Sequence, residues 1–498
     1  MDPSMPVAQA LAVKNGRIVE VGGSDEILWL REDDYEVIDL DGLTVTPGFV
    51  DPHNHFSIGA FETLWADCRG APDIATIQCA MGTAAREAPP SVWVRGFGYD
   101  HAGLPARRHP TRHELDAAVP DRPALLMHFS HHQAVVNSRA LASAGITRAT
   151  PDPPGGEIAR DRAGEPTGLL FERALSLVEP RSREGWQDGF TDVARAACAR
   201  YAALGITSIQ DAAVSPAMSR HYARAREAGA LGIDVSEIMV GTQGWFDPPR
   251  DASPAGPLKI FVDGGYRCAM RLPRDGRAHR TGFLFHERDA LTALLLDTWR
   301  SGRSAVCHAI GNAGIETAVG AIEDALAREP AGHSRVRVDH AIFLTDDLIA
   351  RLADLQIWVV AQPSFLYDGG GASPSPEIRL RPFATAARAG VRQAFSSDFP
   401  CGSNAPLLGM SAAVTRRSRR GDVCDDDEAV AAHAALQAYT IDAARAAGTD
   451  RECGSLEAGK RADLVVLSAN PVECQTDAIA SIEVRQTWAG GVRIFNRP

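Results

Sequence analysis

The chain has 498 residues, 45% of them hydrophobic and 23% charged, and a formal net charge of −12 at pH 7. Those values exclude a disordered, collagenous or coiled-coil chain, and the acidic balance argues against nucleic acid or an anionic membrane as the main partner. No stretch approaches the ~18 uninterrupted apolar residues of a membrane span. At roughly 100–200 residues per domain, the length allows two to four domains or one large barrel with attachments. Residues 1–11 lack a basic start followed by an apolar run, so no secretory signal is expected. Nine Cys occur singly, without a CxxC pair, which reads as reduced thiols in a cytoplasmic protein.

The first forty residues read as strands. Residues 10–14 and 17–21 flank Asn15-Gly16, a hairpin turn, and short β-runs follow at 37–38 and 43–45. The C-terminus repeats the pattern, with a strand at 462–467 and a hairpin candidate of 486–489 and 492–495 around Gly490-Gly491. Both ends are β, so residues 1–47 and 450–498 are expected to form one composite β-sandwich, with everything else inserted between them.

The middle alternates. Short apolar runs at 47–50, 205–209, 235–240, 258–262, 304–307, 336–338, 357–360 and 391–395 are separated by Ala-rich helical stretches, among them 191–204, 289–299, 314–327 and 346–355. Eight such units predict an α/β fold, a (β/α)8 TIM-type barrel spanning 48–65 and 186–449. About 155 residues separate Val50 from Gly205, too many for one βα unit. Residues 66–185, with strand-like 92–95 and 124–128, are therefore expected to be an insertion after barrel strand 1 that caps the active site.

The chemistry gathers at predicted strand ends, where barrel active sites form. His53 and His55, at i and i+2, follow the first strand and can turn two imidazoles the same way. Lys259 lies on the fourth strand, His308 closes the fifth, His340 the sixth and Asp398 the eighth. Each alone has a bland reading as a satisfied core residue. Together, four His, an Asp and a Lys on one rim point to metal. The run Arg416-Arg-Ser-Arg-Arg420, facing Asp425-Asp-Asp-Glu428, reads as a solvated helix–loop edge.

This assembled pattern resembles the amidohydrolase superfamily, in its amidohydrolase family 3 branch of YtcJ-like metal-dependent hydrolases. The residues that carry the resemblance are Thr46-Pro-Gly-Phe-Val-Asp-Pro-His-Asn-His-Phe56, Lys259-Ile-Phe-Val-Asp-Gly264, His308-Ala-Ile-Gly311, Val338-Asp-His-Ala341, Ser396-Ser-Asp-Phe-Pro400 and Gly454-Ser-Leu-Glu-Ala-Gly-Lys-Arg-Ala-Asp-Leu464. Inside the insertion they are Asn137-Ser-Arg-Ala-Leu141, Gly155-Gly-Glu-Ile-Ala-Arg-Asp161 and Pro166-Thr-Gly168. The resemblance implies a binuclear centre. His53, His55 and Asp398 would hold one ion, His308 and His340 the other, and Lys259, carboxylated by CO2, would bridge them. A mononuclear site with unmodified Lys259 is the alternative. Zn²⁺ suits such donors, with Mn²⁺ or Fe²⁺ also admissible.

The implied activity is hydrolysis by metal-activated water of a non-peptide carbon–nitrogen bond (an amide, N-acyl or N-formyl group) in a small molecule. The alternative is a deaminase, C–O hydrolase, decarboxylase or isomerase on the same scaffold. Asp398 is the candidate proton carrier. His132, in Ser130-His-His132 where the family has Asp-Gly-His, is a candidate catalytic or oxyanion contact. Tyr99 and His101 stand where relatives have Gly-Trp-Asp-His and are expected near the pocket as substrate-binding residues. Arg267 and Arg271, after the fourth strand, are either surface residues or contacts for an anionic substrate. The expected partner is a small molecule, with room for a homodimer.

Overall fold

The structure is a computed structural model, described here over residues 5–30, 35–240, 256–266, 268–271 and 282–497. Eight parallel strands form one sheet: β1 (Phe49–Asn54), β2 (Ile206–Val214), β3 (Asp234–Met239), β4 (Leu258–Phe261), β5 (Ala305–Ala309), β6 (Val336–His340), β7 (Trp358–Ala361) and β8 (Arg392–Phe395). Each strand pairs with the next in chain order, so the order of strands in the sheet follows the chain from β1 to β8. It is nearly closed. Just beyond β8, Asp398 N–H donates to the His53 carbonyl at 2.9 Å and His55 N–H to the Phe399 carbonyl at 2.8 Å. The seam is thus tied by the segments around His53 and Asp398.

The strands are buried along most of their length because both faces are covered, the outer one by helices, and polar residues such as Asp51, Asp211, Arg337 and Asp339 are interspersed with the apolar ones. Most of β1, β2, β4, β5 and β6 is fully buried. The helix Asn312–Arg328 shows why such helices dock. Ile315, Ala318, Val319, Ile322 and Ala325 recur at helical spacing and are all buried. Thr345 starts the helix Asp346–Leu355, its hydroxyl accepting from Leu348 N–H at 3.3 Å.

The first predicted strand, 47–50, divides in two. Thr44–Pro47 belongs to another sheet, and β1 begins at Phe49 and runs on through Asp51, Pro52 and His53. Gly48 makes the transfer. A Cβ there would lie 2.2 Å from Thr207 Oγ1, so only glycine lets the chain pass this close to β2.

Thr44–Pro47 pairs antiparallel with Leu464–Leu467, which pairs with Val484–Ala489 and that with Val492–Asn496. One four-stranded sheet is therefore assembled from both ends of the sequence. The hairpin Ala10–Lys14/Arg17–Gly22 turns through Asn15 and Gly16, both at positive φ (52° and 76°). It is joined to the C-terminal segment, with Ile18 N–H donating to the Lys460 carbonyl and Ala462 N–H to the Gly16 carbonyl, each at 2.9 Å.

Between β1 and β2 lies a second, six-stranded mixed sheet. Its order is Ala66–Asp67, Val94–Tyr99, Ala124–His128, Gln133–Val136, Pro166–Glu172, Gly156–Arg160. The sequence reading found two of the six. Ala66–Asp67 and Gln133–Val136 are too short to show a period. Pro166–Glu172 begins with Pro and contains Gly168, which read as turn residues.

The charged run at 416–428 departs from expectation. Arg416 is 1% exposed, its Nε donating to the Cys424 carbonyl at 2.8 Å and its guanidinium packed over Phe383. Glu428 is 2% exposed and accepts from Thr385 N–H at 2.8 Å and Thr385 Oγ1 at 2.6 Å. Both ends of the run fold inward: Glu428 satisfies an N–H in the first turn of the helix Phe383–Arg388, and Arg416 satisfies the loop carbonyls of Cys424 and Arg381.

Arg337 on β6 ties the barrel interior together. It donates to Asp339 (2.9 Å), Gln210 (2.7 Å) and the carbonyls of Pro52 (2.7 Å) and Ala446 (2.9 Å). Arg337→Met would strand a buried carboxylate, and we expect a loss of ~3–5 kcal/mol in unfolding free energy. Urea denaturation followed by circular dichroism measures this; a loss below ~1 kcal/mol would show that Asp339 does not depend on Arg337.

Candidate active site at the barrel rim

His53 lies near the end of β1, and His55 follows at the start of the helix Phe56–Phe61. Lys259 is within β4, His308 within β5, His340 at the end of β6, and Asp398 shortly after β8. All six are buried. His340 (φ 81°) and Asp398 (φ 53°) have left-handed backbones, which cost a non-glycine residue of order 1–3 kcal/mol and persist only where surrounding structure enforces them.

The side chains converge. His53 Nε2 and His55 Nε2 stand 3.2 and 3.1 Å from Asp398 Oδ1. Neither approach has the direction of a hydrogen bond, and Asp398 Oδ1 has no hydrogen-bond partner among the described residues. The three atoms face a common centre rather than one another. Lys259 Nζ lies 3.2 Å from His53 Nε2. The His340 ring is 4.7 Å from that of His53 and 4.4 Å from that of His308, centroid to centroid. One donor atom each from His53, His340 and Asp398 fall within 4.8 Å of one another.

Around these donors is a buried set of orienting groups. Asp339 Oδ2 is 2.5 Å from His53 Nδ1, which turns His53 Nε2 toward the centre. Gln362 Oε1 does the same for His340, at 2.9 Å from Nδ1. Asp51 accepts from Ser397 N–H and Oγ and from Asn54 Nδ2, locking the β8 exit against β1. Of these, Asp51 and Asp339 stand inside the sequence motifs, whereas Gln362, one residue after β7, has no sequence signal.

Burial and crowding set the charges. Desolvation pushes His340 down to about 3, with the neighbouring His53 adding to the effect, and drives His308 well below its ordinary value. Both imidazoles are neutral at pH 7, with lone pairs available. Burial also lowers Lys259 to about 8, against the pull of Asp339 and Asp398. Burial opposes ionisation of Asp398, but His53, His55 and His340 outweigh it and hold the carboxyl well below the usual carboxylate range.

The donor set passes a test for a divalent cation. His308 Nε2 and His340 Nε2 are buried and have no hydrogen-bond partner among the described residues, like Asp398 Oδ1. An unsatisfied buried polar atom costs ~1–3 kcal/mol, a cost that an ion at the clustered donors of His53, His340 and Asp398 would offset. Imidazole and carboxylate suit a borderline divalent metal.

His132 overhangs this centre from the insertion, its ring 5.5 Å from that of His308. Its Nδ1 is 2.7 Å from Glu172 Oε2, and Gly265 N–H, just past β4, is 3.1 Å from both His132 Nδ1 and Glu172 Oε1. Burial alone would lower His132, yet the Glu172 carboxylate outweighs it and the pKa is raised. Glu172 is forty residues away in sequence, so no spacing pattern could have found it. Tyr99 is fully buried with its hydroxyl 2.8 Å from His109 Nδ1, and His101 belongs to a separate histidine cluster in the insertion. Arg271 packs over Phe343 and Tyr266, centroid distances 4.3 and 5.3 Å. Arg267 lies outside the described residues.

Comparison with known proteins agrees with this geometry. The sequence matches the amidohydrolase family over residues 36–495. It is 34% identical to the N-substituted formamide deformylase of Arthrobacter pascens, covering 100% of this chain and 96% of that protein. To the putative amidohydrolase YtcJ of Bacillus subtilis (strain 168) it is 28% identical, covering 98% and 96%. An uncharacterized metal-dependent hydrolase from Pyrococcus horikoshii OT3 has the same fold, with a TM-score of 0.72 at 24% identity over 94% of each chain. With a cluster of His53, His340 and Asp398 at the barrel rim and a family match across nearly all its length, the chain belongs to the amidohydrolase family.

Proposed function

We propose that the protein hydrolyses a non-peptide carbon–nitrogen bond of a small molecule, an N-acyl or N-formyl amide, with two divalent ions held at the barrel rim. The observation that carries this is the convergence of buried donor atoms without hydrogen-bond partners on His308, His340 and Asp398. The full-length similarity to a formamide deformylase supports the bond type. His53, His55 and Asp398 would hold one ion, His308 and His340 the other, and Lys259 would bridge as a carbamate formed with CO2. Zn²⁺ fits these donors best. Residues 1–47 with 450–498 would be the β-sandwich and 66–185 the cap. The free cysteines, all nine of the chain, fit a cytoplasmic protein.

Bound divalent metal supplies a water acidified toward neutral pH and an electrophile for the carbonyl oxygen. The chain's own groups do the rest. Asp398 Oδ1 is turned to His53 and His55, which leaves Oδ2 to take the proton of the attacking water and carry it to the departing nitrogen. His132, its Nδ1 tied to Glu172, turns Nε2 to the substrate oxygen and donates a hydrogen bond as negative charge develops there.

Three results are expected. Elemental analysis of protein reconstituted with Zn²⁺ and bicarbonate should give at least two equivalents, and His53→Ala should lose one together with activity. Less than half an equivalent in the parent protein overturns the proposal. Asp398→Asn should keep the fold and much of the metal but lose 10²–10⁴-fold in kcat on a formamide or acetamide substrate, measured on the same preparations; near-normal turnover in metal-replete protein would assign the proton to another group. Glu172→Gln removes the charge that raises His132, so the His132 titration followed by NMR should move to lower pH, and kcat should fall with it. An unmoved titration would separate Glu172 from His132.

A further inference from the structure

A second group of metal-competent side chains lies in the insertion, away from the six rim donors. His128 ends the strand Ala124–His128, and Asp100 and His101 directly follow the neighbouring parallel strand Val94–Tyr99. Pairing of these two strands brings their ends side by side. His101 Nδ1 and His128 Nε2 face each other at 3.3 Å, and Asp100 Oδ1 lies 3.7 Å from His128 Nε2. One donor atom from each of the three falls within 4.8 Å of the others.

We infer that Asp100, His101 and His128 form an auxiliary binding site for a divalent borderline cation such as Zn²⁺. The spacing is the argument. Donors about 2.0–2.1 Å from a tetrahedral zinc stand about 3.3 Å apart, which is the separation of the two imidazole nitrogens. Two nitrogens meeting head-on can share at most one proton, whereas both lone pairs can serve one cation. The environment is that of ligating imidazoles. His128 Nδ1 is 2.8 Å from Ser130 Oγ, which fixes the ring and directs Nε2 to the site. The His101 ring is stacked on His109 at 3.7 Å, and His109 is in turn held by the buried Tyr99 hydroxyl. His128 is buried, while the Asp100 side chain is 44% exposed and its Oδ1, which accepts from Ala102 N–H at 3.0 Å, needs to shift only a few tenths of an ångström to close the triangle. A cation here would pin the segment after Val94–Tyr99 to the end of the adjacent strand. That strand end leads within four residues to His132 above the barrel mouth. The ion would take no part in the chemistry.

The test is a Zn²⁺ titration of chelator-stripped full-length protein, read by calorimetry and elemental analysis. The parent protein should take up one equivalent more than His101→Gln, and Asp100→Asn should bind that equivalent at least tenfold more weakly. His53→Ala, altered only at the rim, should retain it, which distinguishes this site from the barrel centre. With Co²⁺, the ligand-field absorption of His101→Gln should fall short of the parent's by the contribution of one tetrahedral ion. Circular dichroism reports whether each variant folds, and if His101→Gln does not, the exposed Asp100→Asn decides. Equal stoichiometry and affinity in parent and folded variants would overturn the inference and identify the cluster as a hydrogen-bonded histidine pair.

Discussion

The site depends on one buried carboxylate. Asp339 is fully buried, and burial disfavours its charge, yet Arg337, His53 and Lys259 hold it well below the usual carboxylate range. Its two oxygens divide the work. Oδ1 takes Arg337 Nε at 2.9 Å, and Oδ2 takes His53 Nδ1 at 2.5 Å, with the longer Arg337 Nη2 contact at 3.4 Å and Lys259 Nζ at 3.9 Å. The first contact anchors Asp339 to β1 and to the helix Ile441–Ala447 through the Pro52 and Ala446 carbonyls. The second sets the His53 tautomer and turns Nε2 inward. A ligating imidazole needs such a partner on its far nitrogen, and here the partner is built into the strand beside His340.

The same logic recurs around the rim with different chemistry. A neutral amide, Gln362, orients His340, where a second carboxylate would add charge repulsion near Asp339 and Asp398. Asp51 secures the exit of β8 through Ser397, so the φ 53° backbone of Asp398 is held from both sides. Asp263, beyond β4, accepts the N–H groups of Ile310, Gly311 and Met270 and so fixes the turn after β5. Its burial pushes it up to about 7 despite these donors. Every strand end carrying a donor is therefore fastened to its neighbour before any ion is considered. That is the preorganisation a metal centre requires.

The insertion is joined to this frame at Gly265. Its N–H reaches both His132 and Glu172, and a Cβ at this position would sit 2.4 Å from the His132 ring. Cys401 Sγ, near Asp398, donates to the Ser130 carbonyl at 3.5 Å, and His131 Nε2 is 3.4 Å from Glu62 after β1. The six-stranded sheet thus meets the barrel through residues adjacent to His132.

Much of this was legible in the sequence. Apolar runs recurring with helical stretches between them specify parallel strands, because a strand covered on both faces is rich in apolar residues. Residues at the ends of such runs then share one rim, so His53, His55, Lys259, His308, His340 and Asp398 could be named without a structure. What the sequence could not decide was which groups meet across long separations. Glu172 reaches His132 because a short antiparallel strand pair folds it back, and His101 meets His128 because two parallel strands end level. Arg416 looked like part of a solvated run because local charge carries no information about which neighbours bury it. Periodicity reports which face of an element is covered; pairing, register and the satisfaction of buried polar atoms exist only once the elements have packed.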